Sequence, residues 1–377
     1  MLNGNSPNSY TYAGRTLSEG IPDITVPALG NGIIDIPSAY ALTSTGDEFQ
    51  RSYIQSWNFT VQKQLAQNLA AQVGYVATRQ VHQTGNLDLN AGQVIGAGRN
   101  GQPYFQKFGR TTQTALLTAT GHSSYNSLQA TLDRRYSKGV SLQAAYTWSK
   151  VMGICCNDNS DGAPRIQALQ YYDLNRSLMG FDRTHNLQLT AIFELPFGKG
   201  KPFLTSRMAS AIAGGWQLNT VTGWYSGTPF SVGADGASLN LPDSAQRADQ
   251  IKGTVRKLGG TGRGQAYYDW TAFAPVTGAR FGNSGFNNLR GPAAFNSDLG
   301  LFRQFRITER VNMQFRAEAF NFTNTPKFDN PSSNISNLKL NKDGSFQSGV
   351  FEVTSTAGTG REGIDERLLR IGLRIAF

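Results

Sequence analysis

Residues 123–150 read SSYNSLQATLDRRYSKGVSLQAAYTWSK, and this stretch decides the fold. Apolar side chains stand at every second position on both sides of the Ser137-Lys138-Gly139 triplet. They are Leu128, Ala130 and Leu132 before it, then Val140, Leu142, Ala144, Tyr146 and Trp148 after it. Because side chains of a strand alternate between two faces, the pattern predicts two antiparallel strands joined by a tight hairpin. Each strand has one apolar face and one polar face.

The same alternation recurs in seven further segments, which predicts an all-β chain with nine or ten long strands. The segments are 53–65, 69–77, 186–195, 215–226, 297–306, 310–322 and 367–377. Only 16% of the residues are charged and 42 are glycine, which is poor material for helices, so we expect no helix beyond a short one near 203–213. No run of about eighteen apolar residues could form a transmembrane helix, whereas a barrel strand needs only about 9–11 alternating residues.

The connections between these segments are of two kinds. The turns at 66–68, 137–139 and 307–309 are short and the one at 196–214 is modest, and they alternate with long polar segments at 80–124, 151–185, 227–296 and 323–366. Outer-membrane barrels have short periplasmic turns and long extracellular loops, so this alternation favours a transmembrane antiparallel β-barrel. A soluble β-sandwich or a secreted β-propeller is the alternative, although unstructured loops of this length are unusual in compact domains.

The spacing of two tryptophans is close to the height of a membrane-spanning apolar band. Trp216 and Trp224 lie eight residues apart on one face, which is roughly 26 Å along a strand and about 20 Å of height after tilting. The apolar band of such barrels is about 25 Å tall. Two core tryptophans of a sandwich remain the other interpretation.

The alternation assigns each strand residue to one of two faces, and an outer-membrane barrel would turn the apolar face to lipid. The predicted lipid-facing residues are Trp57, Val61, Tyr146, Trp148, Leu189, Trp216, Trp224, Phe315, Ile371 and Ile375. The predicted lumen-facing residues are Asn312, Gln314, Arg316, Glu318, Arg370 and Arg374. General hydration of the lumen is favoured for the second set over specific ligand contact. The terminal strand, with Leu369, Ile371, Leu373, Ile375 and Phe377 on one face, is predicted to be the signal read by the barrel assembly machinery.

The sequence offers no catalytic or metal chemistry. No serine stands in a Gly-x-Ser-x-Gly elbow, and the three histidines are not at ligand spacing. The NDNSDG run at 157–162 resembles the start of a calcium loop, but Ala168 stands where the twelfth-position glutamate belongs. The GGTGRGQ run at 259–265 lacks the lysine of a phosphate loop, and we assign no role to Cys155 and Cys156. The net charge of +10 is scattered, which argues against nucleic acid binding. We therefore expect no enzyme and no cofactor.

Several blocks of the chain resemble the C-terminal barrel of TonB-dependent receptors of the Oar-like type. These blocks are SWNFTVQKQL, QVGYVATR, residues 123–150, FDRTHNLQLTAIFELPFGKGK, GGWQLNTVTGWYSGTPFSV, FGNSGFNNLRGP, LFRQFRITERVNMQFRAEAFNFTNTPKFDNP and the terminal LLRIGLRIAF. The resemblance implies a barrel of about twenty-two strands around a plug domain, and solute import driven by the TonB complex. Residues 51–377 would be the C-terminal part of that barrel, and residues 1–50 an extracellular loop or extended segment.

The predicted strands do not make a complete receptor. Single-chain barrels of this class have an even strand number, so nine strands need a partner strand from before residue 50 or from another molecule. The sequence shows no plug, no TonB box and, in its opening MLNGNSPNSYTYAG, no secretory signal. We expect a receptor fragment of the cell outer membrane that is inactive in transport alone. The alternatives are an outer-membrane adhesion or structural barrel and a passive porin.

Overall fold

Nine long antiparallel strands form one continuous sheet in the computed structural model, which describes residues 30, 40–46, 50–154, 164–308, 310–357 and 366–377. We number these nine strands β1 to β9 and give shorter elements by their residues. The strands are β1 Tyr53–Ala66, β2 Leu69–Asp88, β3 Thr114–Ser137, β4 Val140–Ile154, β5 His185–Glu194, β6 Trp216–Tyr225, β7 Ala294–Arg306, β8 Asn312–Phe320 and β9 Leu368–Ala376. Each pairs with the next along the chain, as in an up-and-down barrel wall. The predicted all-β fold and its nine strands are confirmed.

The hairpin that decides the fold forms as the sequence predicts. Ser137 pairs with Val140, and Lys138 and Gly139 between them have φ values of 52° and 81°. Positive φ at both central residues is the signature of a type I′ turn, whose twist matches that of the flanking strands. Glycine takes this conformation without strain, whereas Lys138 pays a small steric cost to keep the turn tight.

The sheet is open within the described residues, since β1 and β9 each have a long-strand neighbour on one side only. Unpaired strand edges in hydrocarbon would leave backbone groups unsatisfied at several kcal/mol each. A further short strand, Leu42–Thr45, runs parallel to the start of β3 at Thr114–Leu117 and so does not continue the sheet beyond β1.

The long segments between strands differ from their prediction in two ways. The predicted 80–124 connection is partly strand, because β2 runs to Asp88 and β3 begins at Thr114. Apolar and polar residues are mixed on both faces of these strand extensions, as at the adjacent Leu116 and Leu117, so the period-two apolar signal is lost there although the backbone pairing continues. The prediction of only one short helix is also wrong, since Pro103–Phe108 forms an α-helix in addition to the expected Arg207–Ala213. In the described residues, no helix is long and apolar enough to cross a membrane.

The other long segments fold together into a cap with its own core at the loop end of the sheet. The larger core cluster consists of Phe230, Val232, Ala248, Ala266, Tyr267, Tyr268, Ala272, Phe273, Leu289, Ile335, Val350, Phe351 and Val353. A smaller cluster joins Ile166, Ala168, Leu239, Leu241 and Phe286. Small antiparallel pairs such as Pro229–Phe230 with Leu289–Arg290 connect the cap segments. The cap is therefore a packed structure, while the long strands have little apolar core of their own.

Candidate functional site: the polar face and the cavity under the cap

The strand register separates the sheet into one apolar face and one polar face. Directly paired residues share a face, and the pairings can be followed across all nine strands. The register puts every predicted lipid-facing residue on the apolar face: Trp57, Val61, Tyr146, Trp148, Leu189, Trp216, Trp224, Phe315, Ile371 and Ile375. Their contact with lipid stays a prediction, although Trp57 and Ile371 are 48% and 79% exposed.

Charged residues divide between the two faces in a way that the sequence analysis missed. The acidic residues of the strands, Asp88, Asp133, Glu194, Asp298 and Glu318, all lie on the polar face. The apolar face of the nine strands carries only basic charges. Lys63, Arg134 and Arg303 each lie three residues before the end of their strand at a turn, and Arg79 and Lys150 lie in the half of their strands toward the loops. Long basic side chains near strand ends can reach the headgroup region with their charge while their stems stay in hydrocarbon. The division of acidic and basic residues between the two faces can be read from the sequence only after the strand register is known.

Arg303 shows how such a residue is held at the turn end. Its Nη1 donates to the carbonyl oxygen of Ile212 at 2.6 Å, and its guanidinium lies 5.4 Å from the ring centre of Trp216. The Trp216 indole also donates to the Ile212 carbonyl, at 3.1 Å, and its ring meets Phe315 edge-on at 5.8 Å. The short helix Arg207–Ala213 therefore anchors an aromatic and basic cluster at this rim.

The polar face is lined mainly by amides and hydroxyls. Neighbouring side chains two positions apart on one strand bond to each other, as in Gln188 to Asn186 at 3.0 Å and Gln217 to Asn219 at 2.6 Å. These groups can bond to water or to a passing solute, so the surface is suited to a hydrated lumen.

The six predicted lumen-facing residues lie on this polar face, at the β8–β9 edge. They are Asn312, Gln314, Arg316, Glu318, Arg370 and Arg374. The register sets Arg370 opposite Glu318 and Arg374 opposite Gln314, and Arg316 donates to the Gln314 amide oxygen at 2.8 Å. They form a patch of their own, and none of them lines the large cavity described below. Their contact with a plug or solute stays a prediction.

The terminal strand is strongly exposed on its apolar side. Leu369, Ile371, Leu373 and Ile375 are 54–79% exposed, and Phe377 is 99% exposed. Their predicted role as an assembly signal is not tested by this arrangement. Cys155, Cys156 and the NDNSDG run lie outside the described residues.

A cavity of about 850 Å³ lies between the loop end of the polar face and the cap. One wall is the sheet itself, where Asn186, Tyr225 and Ala294 stand side by side on β5, β6 and β7. The remaining walls come from segments 165–183, 228–231, 327–333 and 355–357. Sequence reasoning could not find this site, because its residues are drawn from five stretches that are far apart in the chain, and none of these forms a motif.

The cap is joined to the sheet beside this cavity by a buried ion pair. Asp182, fully buried, accepts from Arg290 Nη2 at 2.5 Å and from the backbone N–H of Val151 in β4 at 2.7 Å. Arg290 also donates to the Gly227 carbonyl oxygen at 3.1 Å. These bonds join two cap segments to the end of β4, so they fix the cap over the polar face.

The fold and the division of its faces define an antiparallel membrane-barrel wall whose loops are packed into a cap. The family model of the outer membrane beta barrel domain matches residues 2–363, and the chain belongs to this family. It is a protein of the cell outer membrane. No protein of curated function matches it in sequence.

Solved transporter and receptor structures are similar to the chain at very low identity. The outer membrane transporter YddB from Escherichia coli is 9% identical with a TM-score of 0.45, over 89% of this chain and 34% of that structure. The FrpB iron transporter from Neisseria meningitidis is 9% identical with a TM-score of 0.39, over 90% and 33%. The siderophore receptor PiuA from Acinetobacter baumannii is 8% identical with a TM-score of 0.36, over 86% and 28%. The chain thus spans about a third of the length of these structures.

Proposed function

We propose that this chain is the C-terminal part of a TonB-dependent receptor that takes up a solute across the outer membrane. The observation that carries the proposal is the cavity of about 850 Å³ held between a packed cap and the polar face of the sheet. A passive pore needs an open polar channel, whereas a receptor must hold its solute before import. A cap with a core of its own supplies fixed walls for such a site.

The proposal also gives the open sheet a role. The edges of β1 and β9 would pair with the remaining strands of a larger barrel, and the polar face would line its lumen around the plug. In this arrangement residues 51–377 form barrel wall and extracellular cap, and residues 1–50 form an extracellular or extended segment that leads into β1.

Uptake by living cells tests the proposal against its two alternatives. The gene is deleted, and growth is compared on a panel of oligosaccharides, peptides and ferric chelates, each as the sole source of carbon, nitrogen or iron. A receptor predicts that growth on one class of solute is lost, is restored by the full gene, and is lost again in cells without a working TonB complex. Gene-dependent growth that does not need the TonB complex would indicate a porin. Unchanged growth with reduced attachment to surfaces would indicate an adhesin.

A further inference from the structure

The cavity under the cap carries an excess of positive charge. Arg165, Arg183 and Lys327 line it, and Asp329 is the one carboxylate among the lining residues that the structure describes. Asp329 is engaged by the hydroxyl of Ser355 at 2.8 Å rather than by any of these cations. Arg183 and Lys327 together therefore bring one positive charge more than the Asp329 carboxylate can balance at neutral pH.

Two of the cations are held in place by hydrogen bonds to neighbouring residues. Arg165 donates to the hydroxyl of Ser231 at 2.8 Å, and its guanidinium lies 5.4 Å from the ring centre of Phe286. Arg183 donates to the carbonyl oxygen of Ser226 at 2.7 Å. Burial lowers the pKa of Arg183, so the site already disfavours positive charge. An added anion would relieve this unfavourable electrostatic energy.

Arg290, at the same junction of the cap with the sheet, differs from Arg183 and Lys327 because it has a structural role. It is matched by the fully buried carboxylate of Asp182 at 2.5 Å, and it lies outside the lining of the cavity. Within the described ranges, by contrast, no carboxylate forms an ion pair with Arg183 or Lys327. Half-buried cations that line a cavity without a protein counter-ion are suited to a ligand that brings the negative charge.

We infer that this cavity binds an anionic solute, one that presents carboxylate, phosphate or sulfate groups to Arg183 and Lys327. This inference rests on the proposed uptake function and names the class of its solute. The volume of about 850 Å³ accommodates a molecule of several rings. The Asn186 amide and Tyr225 hydroxyl on the sheet side can bond to the neutral hydroxyl groups of such a solute.

Equilibrium binding to outer-membrane vesicles from cells that express the full gene tests the inference. The probes are radiolabelled trigalacturonate, its uncharged trimethyl ester and inorganic pyrophosphate, and vesicles from the deletion strain give the background. We expect at least one anion to bind and the ester to bind about tenfold more weakly than its acid. Lys327→Gln should weaken binding of the anion about tenfold, while Lys342→Gln, at an exposed turn of the cap, should leave it unchanged.

The outcomes separate this inference from the proposed function. Gene-dependent and Lys327-dependent binding of trigalacturonate alone assigns a carboxylate ligand, and binding of pyrophosphate alone assigns a phosphate or sulfate ligand. If neither anion shows binding that depends on Lys327, or if the acid and its ester bind equally, the anionic class is overturned, even where uptake by cells is intact. Anion binding in a strain whose growth does not depend on the gene would instead contradict transport and leave the site standing. Arg183→Lys, which retains the charge, should bind more tightly than Arg183→Gln if charge and not loop folding is the cause.

Discussion

Replacing Asp182 by asparagine should loosen the cap from the sheet without changing the strands. The carboxylate of Asp182 is fully buried and accepts from Arg290, from the Val151 N–H and, at 3.3 Å, from the Thr184 hydroxyl. Asparagine has the same size and can keep one of these bonds. It removes the negative charge that balances Arg290.

The size of the effect follows from the surroundings of the pair. Removing one partner of a buried ion pair costs about 3–5 kcal/mol because the other charge is left uncompensated. Arg290 is 26% exposed and keeps its bond to the Gly227 carbonyl, so part of its charge stays solvated. We expect the cap to lose about 2–3 kcal/mol of stability against local opening.

Hydrogen exchange of the folded protein measures this opening directly. A loss of about 2–3 kcal/mol raises the exchange rate of protected amides about 30- to 150-fold. The segment to follow is 286–292, which contains the Leu289–Arg290 strand and the Gly291 N–H that donates to the Thr228 carbonyl oxygen at 3.0 Å. Amides in the middle of β4 should exchange as in the wild type.

Lys252→Gln is the matched control. The Lys252–Asp269 pair also joins cap segments, but the Lys252 side chain is 47% exposed, and such pairs contribute about 0–1 kcal/mol. If segment 286–292 of the Asp182→Asn protein exchanges no faster than in the Lys252→Gln protein, the buried pair does not hold the cap and the reasoning is wrong.

Three further predictions concern the faces, the cap and the terminus. Leu189→Arg on the apolar face should lower the yield of heat-modifiable folded barrel, since a basic residue near the midplane costs about 2–4 kcal/mol. Gln188→Arg on the polar face should leave the yield unchanged, and equal yields of the two variants would refute the assignment of the two faces of β5. The pKa of Asp243 is raised by burial and by the neighbouring Asp88, so the folded cap binds a proton that the open cap releases, and its stability should fall as the pH rises from acid toward neutral. Asp243→Asn should remove this pH dependence of hydrogen exchange, after correction for the intrinsic rate, and an unchanged dependence would exclude Asp243 as its source. Phe377→Asp in a full-length parent receptor should reduce insertion of folded barrel, and normal insertion would show that the terminal residue carries no assembly information.

The strands could be predicted from sequence because their environment repeats with the backbone. From Val140 to Trp148 in β4 every second side chain is apolar, so the period of two is visible without any knowledge of neighbours. The strand extensions to Asp88 and from Thr114 were missed because apolar and polar residues are mixed on both of their faces.

The cap and its cavity could not be predicted in the same way. Phe230, Tyr268 and Phe351 pack against one another although they are far apart in the chain, with ring centres 5.8–6.4 Å apart. Such contacts leave no period in the sequence, and isolated aromatics in a polar segment are equally compatible with exposed loops. Arg183 and Lys327 likewise come together only through the folded cap, so their joint charge has no local motif.

The separate core of the cap has a consequence for how this protein can diverge. Residues that form the core of the cap, such as Phe351 and Val350, do not belong to the nine long strands, and few residues of these strands pack into the cap core. Substitutions that reshape the cavity can therefore accumulate without disturbing the alternation that the bilayer demands. Recombination at the strand ends could graft a different cap onto the same wall, and the main junction to be preserved would be the contact of Asp182 with Arg290 and the end of β4. A lineage built on this plan could acquire new nutrients, or escape a phage that recognises its surface, by exchanging one module.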